Sequence, residues 1–159
     1  MKIKIYAIGK IKDEYLKLGI SEYQKKIKPY ITLEIVEAND EPIPQNPSES
    51  EIEIAKNKEG EKVLQLLKNN EYLIGLDLNK KELESPQFAE YLNKKIVDNG
   101  AQISFVIGGS YGLSEALKNR CNDSLSLSKM TFLHQMTRLI LLEQIYRAFK
   151  ILRNETYHK

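Results

Sequence analysis

Across 159 residues the chain has one cysteine, Cys121, so no internal disulfide can form, and no Cys and His spacing resembles a structural metal site. Both absences point to a reducing cytoplasm and to chemistry without a metal. No apolar run is long: the longest, LILL at 139–142, falls far below the roughly 20 residues that a membrane-spanning helix needs. The opening MKIKIYAIGKIKDEY alternates charge with aliphatic side chains and carries no apolar leader core, which predicts a soluble, intracellular protein with no membrane partner. Charge of one sign is also missing. With 24 basic and 22 acidic side chains the net charge is +2, so any nucleic-acid contact must come from a local patch. There is no internal repeat or low-complexity tract, and the only proline-rich piece, EPIPQNPSES at 41–50, reads as a loop.

What is present fits one domain over residues 1–159, with 42% hydrophobic residues to form a core. Residues 2–8 alternate with period two, and 13–27 place Leu16, Ile20, Tyr23 and Ile27 on one helical face. TLEIVEA at 32–38 reads as a strand, and Ser48 with Glu51 has capping-box spacing for a helix reaching about Lys68. A third strand is expected at 71–78. Ser85 and Pro86 make an N-cap and first helical position for a helix carrying Phe88, Leu92 and Ile96, which Gly100 can stop. QISFVI at 102–107 is a fourth strand; a short helix from Ser114, a strand near 123–128 and a long helix over Leu133–Leu152 complete the chain. Strands alternating with helices predict an α/β fold: a mostly parallel sheet with helices on both faces.

Ligands of such sheets sit beyond the carboxyl ends of the strands, where Gly108, Gly109 and the segment Leu127–Phe132 fall. The glycines do not match a dinucleotide fingerprint, being adjacent and late, and no lysine follows them as a phosphate loop requires. Spacing alone reads them as a tight turn that lets the next helix pack on the sheet. In the last helix Leu139, Leu141, Leu142, Ile145, Tyr146, Ala148, Phe149 and Leu152 cover about half the circumference. That arc can cover the sheet and still face a second subunit. Arg138 lies inside it and needs a carboxylate, backbone carbonyls or a ligand as partner. The chain closes on RNETYHK, which gathers a phenol, an imidazole and an ammonium; His158 can exchange a proton near neutrality, whereas His134 is read as structural.

The segments FVIGGSYGL, SLSLSKMTF followed by HQM, Arg138 with EQIYRAFK, the closing YHK, the opening KIYAIGKIKDEY and NKEGE at 57–61 resemble the pseudouridine-N3 methyltransferase H family of bacterial large-subunit ribosomal RNA. That family belongs to the knotted SPOUT superfamily, and the resemblance spans the whole chain. It implies a deep C-terminal trefoil knot, and S-adenosylmethionine held bent against Leu76, Gly108, Gly109, Leu127, Ser128, Lys129, Met130, Thr131 and Phe132. A bare backbone suits that cofactor, because main-chain N–H and C=O groups can read a purine edge where no Cβ blocks approach. It further implies methyl transfer to N3 of a pseudouridine in 23S ribosomal RNA on the assembled ribosome, by a cytoplasmic homodimer. The tail of one subunit would order over the cofactor of the other. His158 or a water it holds would take the N3 proton, Arg147 and Lys159 would grip phosphates or uracil carbonyls, and Tyr157 would support the base. Three positions depart from the family pattern: Tyr111 in the glycine turn where relatives carry Glu or Asn, Leu133 in place of proline, and Lys159 where some have arginine. Two other readings stay open from the pattern alone. A ribosome-assembly module would need no cofactor site, and a flavodoxin-like domain would have no knot and no use for YHK.

Overall fold

The computed structural model describes residues 1–159. Strands and helices alternate throughout: β1 (Lys2–Ile8), α1 (Glu14–Ile27), β2 (Thr32–Ala38), α2 (Glu49–Leu66), β3 (Leu73–Glu82), α3 (Ser85–Asp98), β4 (Gln102–Ile107), α4 (Glu115–Arg120), β5 (Asp123–Ser126) and α5 (His134–Leu152). The strands form one sheet in the order β2-β1-β4-β3-β5, and every neighbouring pair is parallel. This is the α/β class that the alternation predicts. A parallel sheet covered on both faces needs apolar side chains in both directions, which is why Ile103–Ile107 of β4 is buried at every position, Ser104 included.

Alternate side chains of the strands feed two cores. On one face Ile3, Ile5, Ile103 and Phe105 meet Ile20 and Ile27 of α1, Phe88, Leu92 and Ile96 of α3, and Leu141, Leu142, Ile145 and Phe149 of α5. On the other, Tyr6, Ile8, Leu73 and Val106 meet Val63 of α2 with Leu113 and Leu117 at the start of α4. The helix starts follow local chemistry. Ser48 accepts from the Glu51 N–H at 3.2 Å while Glu51 accepts from the Ser48 N–H at 3.1 Å, the reciprocal cap expected from the spacing.

The structure corrects three local readings. Glu84, not Ser85, is the N-cap of α3, with its N–H donating to Gln87 Oε1 at 2.9 Å, and Pro86 moves to the second helical position. β3 runs on to Glu82 through a register shift against β5 between Leu76 and Lys81, where Asn79 takes φ +61°. β5 stops at Ser126 rather than Ser128, since Ser126 Oγ turns to donate to the Ser128 carbonyl at 2.8 Å.

At the amino-terminal edge of the sheet Glu71 is buried. Its carboxylate accepts from Tyr6 Oη at 2.8 Å, Ser104 Oγ at 2.8 Å and the Lys68 N–H at 3.2 Å, with Lys4 Nζ 3.5 Å away. Burial alone pushes this carboxyl up, but those donors outweigh it and hold it below its ordinary range.

Candidate active site at the carboxyl ends of β3, β4 and β5

β4 ends at Ile107 and the chain turns at once. The Gly112 N–H donates to the Gly109 carbonyl at 3.1 Å, and Gly112 sits at φ +87°, in the left-handed region that glycine enters without strain. A Cβ on Gly108 would lie 2.5 Å from the Gly112 carbonyl carbon and 2.7 Å from its oxygen. One on Gly109 would lie 3.0 Å from Glu59 Oε1 and 3.2 Å from Ile8 Cγ2. The turn therefore closes on itself so tightly that its own packing excludes side chains, as the spacing suggests. Ser114 then caps α4 by accepting from the Leu117 N–H at 3.2 Å.

Facing this turn, the segment after β5 folds into a second loop, in which the Met130 N–H donates to Ser128 Oγ at 3.0 Å. Between the two loops lies a cavity of about 310 Å³. Leu76, Gly108, Gly109, Leu127, Ser128, Met130, Thr131 and Phe132 all line it; Lys129, the remaining member of the set drawn from the resemblance, is exposed and does not line it. Sequence reasoning missed Asp77, Ser110, Lys118, Ser126, His134 and Thr137 as wall residues. Their signal is adjacency, since each is within a few residues of a strand end or loop already singled out. Asp77 and Lys118 neutralise each other at 3.7 Å, and Ser110, Ser126, Ser128, Thr131 and Thr137 add neutral hydroxyls, so the walls mix apolar side chains, hydroxyls and backbone groups with no net anion cradle. This donor set fits a purine nucleoside read by main-chain groups, with hydroxyls and the paired Asp77 and Lys118 for a polar arm, and lacks the unpaired cations that a triphosphate needs. Tyr111 at 44% and Met130 at 75% exposure leave the mouth apolar and uncovered.

His134, read as structural, stands in the cavity wall at the first position of α5. Burial, then the neighbouring Arg138 cation, lowers its imidazole below the ordinary value and favours the neutral ring. Arg138 is only 3% exposed. Its Nη1 donates to Glu37 Oε2 at 2.6 Å and its Nη2 to the Gly9 carbonyl at 3.1 Å, while Nε has no protein partner. Two of the partner types left open by the sequence are thus both used, and they tie the start of α5 to the ends of β1 and β2. Glu59 of NKEGE is buried beneath Gly109, where its Oε2 accepts from the Glu41 N–H at 3.0 Å and burial pushes its carboxyl up.

The tail residues gather at the other end of α5. Arg147 donates to Glu143 Oε1 through Nε at 3.0 Å and Nη2 at 2.5 Å, and its Nη1 lies 3.1 Å from His158 Nδ1. The Tyr157 hydroxyl donates to Glu143 Oε1 at 3.0 Å, and its ring meets Tyr146 edge-on at 4.8 Å. Burial, followed by its contacts with Tyr23 and Glu143, raises the Tyr157 phenol well above its ordinary range. Lys159 is exposed. The tail is therefore docked against its own helix, contrary to the fraying typical of a terminus. From His134 to Arg147 is about 20 Å at 1.5 Å rise per residue, so the structure does not bring Arg147, Tyr157 and His158 to this chain's own cavity.

Residues 1–158 match the family described as "Predicted SPOUT methyltransferase". The chain belongs to the SPOUT methyltransferase family. Full-length relatives include the ribosomal RNA large subunit methyltransferase H of Clostridium novyi (strain NT), 52% identical over 159 residues, and that of Clostridioides difficile (strain 630), 49% identical, each covering 100% of both chains. The protein of that name from Carboxydothermus hydrogenoformans is 48% identical over the same span. Among solved structures, a probable methylase family protein from Haemophilus influenzae Rd KW20 shares the fold at a TM-score of 0.50 and 16% identity, over 96% of this chain and 66% of its own length. In this SPOUT methyltransferase no helix is long and apolar enough to cross a membrane, and no group of three or more His, Cys, Asp or Glu could hold a metal ion.

Proposed function

We propose that this methyltransferase, with its whole chain as one catalytic domain, uses S-adenosylmethionine to methylate N3 of a pseudouridine in 23S ribosomal RNA on the assembled ribosome, as a cytoplasmic homodimer. The observation that carries the reading is the cavity between the glycine turn and the Ser126–Phe132 loop, walled by backbone, apolar side chains and neutral hydroxyls at the strand ends. Identity of about half over full length to proteins named ribosomal RNA large subunit methyltransferase H supports the substrate class.

S-adenosylmethionine, when bound, supplies a methyl carbon made electrophilic by its sulfonium. The chain's own part is to place the acceptor. Leu76 and the main chain of Gly108 and Gly109 would form one wall for the cofactor, with Leu127, Ser128, Met130, Thr131 and Phe132 as the other and exposed Lys129 at its edge. Such positioning accounts for several kcal/mol, of the roughly 7–11 kcal/mol available to well-oriented reactions. Arg147 lies too far along α5 to meet its own cavity, and Tyr157 and His158 dock beside it, with Lys159 next in the chain. A second protomer whose tail covers the exposed mouth at Tyr111 and Met130 supplies them, so the homodimer is part of the same proposal. The implied trefoil knot belongs to it too. Ser126, Leu127 and Phe132 of the loop after β5 also line a smaller cavity with Leu83, Ser85 and Gln144, where Ser85 Oγ donates to Gln144 Oε1 at 2.8 Å.

The test is transfer of labelled methyl from S-adenosylmethionine to ribosomes lacking the modification, followed by mass spectrometry of the nucleoside. Label on N3-methylpseudouridine is expected. No transfer to ribosomes, subunits or RNA by a folded dimer would favour the ribosome-assembly module instead.

A further inference from the structure

Arg147 fixes the tautomer of His158. A guanidinium has only N–H donors and stays protonated in proteins. The 3.1 Å contact of its Nη1 with His158 Nδ1 therefore makes Nδ1 the acceptor, and the proton of the neutral ring sits on Nε2. The guanidinium has little freedom to do otherwise. Its Nε and Nη2 are both taken by Glu143 Oε1, and its carbon lies 4.8 Å from the centre of the Tyr157 ring, whose hydroxyl also donates to Glu143. One carboxylate thus sets the direction of Arg147 and Tyr157, and through Arg147 the state of His158.

We infer that His158 meets the acceptor base as a hydrogen-bond donor, through Nε2–H, and that Glu143 is the positioning residue that makes it one. This rests on the methyl-transfer reading and alters one role within it, because a ring with its proton already on the exposed nitrogen has no lone pair there to take another. The chemistry then needs a different division of labour. When the N3–H bond breaks, the proton passes to water, and the negative charge spreads onto the two flanking carbonyl oxygens. The N3 electron pair forms the bond to the methyl carbon as the carbon–sulfur bond breaks and leaves its pair on sulfur. Donors aimed at those carbonyl oxygens stabilise the anion before and during attack. The surroundings suit an anion. Arg147, which holds His158, belongs to a network in which Glu143 joins Arg147 and Tyr157, Tyr157 meets Tyr23 and Tyr146, Lys26 lies over the Tyr146 ring, and Glu155 joins Tyr30 and Lys150, with Lys159 following His158 in the chain. Both carboxylates in this group are already engaged, Glu143 by Arg147 and Glu155 by Lys150 at 2.8 Å.

Three variants and one spectrum test this. In ring nitrogen NMR of the free dimer, His158 should carry its proton on Nε2, and Glu143→Gln should convert this to a mixture of tautomers. In the ribosome assay His158→Ala should lower kcat by about 10²-fold or more. His158→Gln, which keeps an N–H donor at the same reach, should lower it by less than about tenfold, whereas loss of a general base costs about 10²- to 10⁴-fold with either substitution. Glu143→Gln should reduce kcat more than it raises KM for ribosomes. A proton on Nδ1 in the wild-type dimer, or a His158→Gln enzyme as impaired as His158→Ala, overturns the inference. Failure of the wild-type protein to methylate overturns the functional reading itself, and the spectrum still decides the tautomer.

Discussion

Replacing Gly108 with alanine asks whether the glycine turn is bare because it must be. Gly108 is not among the positive-φ residues, so an alanine there meets no backbone penalty of its own, and the whole cost is steric. Its Cβ would sit 2.5 Å from the Gly112 carbonyl carbon, and that carbon is backbone, unable to rotate aside. To regain ordinary contact at about 3.5 Å the two strands of the turn must part by about 1 Å. Overpacking of this kind costs about 1–3 kcal/mol. For a chain of 159 residues each kcal/mol is worth about 2–4 °C in Tm. The larger effect is on the cavity, because the turn is its wall and a 1 Å displacement of a positioning group lowers turnover by about 10²-fold. Gly112→Ala is the contrast. There the added Cβ meets nothing within 4 Å, but φ +87° imposes conformational strain of about 1–2 kcal/mol, so stability falls without the turn being wedged open. Calorimetric titration with S-adenosylmethionine and thermal melts of both variants measure the difference. Unchanged cofactor affinity and a Tm within about 1 °C of wild type for Gly108→Ala would refute the reasoning.

Two further predictions concern the frame that holds the site. Glu71 has its carboxyl lowered in the folded state, so its contribution is fully present above the unfolded-state pKa of about 4.3 and is lost as pH falls through the lower folded value. Glu71→Gln should cost about 1.5–3 kcal/mol at neutral pH and flatten the loss of stability below about pH 4, read from denaturant melts against pH; an unchanged acid limb would contradict the assignment. Arg138→Met should lose about 1–3 kcal/mol, because the Gly9 carbonyl is left unpaired while the partly exposed Glu37 recovers water, and Arg138→Lys should not fully restore it, since the donors of an ammonium share one nitrogen whereas Glu37 and the Gly9 carbonyl are met by two separate nitrogens of the forked guanidinium. Tm measurements on both variants decide, and full recovery by lysine would count against the two-partner geometry.

Much of this frame is legible in the chain because its signals are local. QISFVI ends in three consecutive apolar residues, Phe105–Ile107, which fits burial on both faces; Ser48 and Glu51 show their cap by spacing alone; Gly100 stops α3 at φ +69°. The cap of α3 is misread because Ser85 and Glu84 are both credible, and the choice depends on where Gln87 reaches. Contacts between distant residues leave no local mark. Arg138 is visible as a cation in an apolar stripe, but its partner Glu37 is 101 residues away, and Tyr157 meets Tyr23 across 134. The order that places β4 between β1 and β3 is equally silent, since any strand of this composition fills a central slot. The cavity set became readable through resemblance. Periodicity marks the two loops as strand ends and goes no further, so it carries no sign that His134 stands in the cavity wall.

The claim on which the account turns is that the cavity of one protomer and the tail of another make a single site, because the two lie about 20 Å apart along α5 in one chain. Mixed dimers test it most directly. One protomer carries Gly108→Ala and an intact tail, the other an intact cavity and Arg147→Ala with His158→Ala, and each parent dimer is inactive or nearly so. If the site is shared, the mixed dimer regains one working site and methylates ribosomes at about half the wild-type rate, by symmetry of the two sites. Mixed dimers as inactive as both parents, with the wild-type dimer active alongside, would mean that cavity and tail act within one chain and would contradict the account.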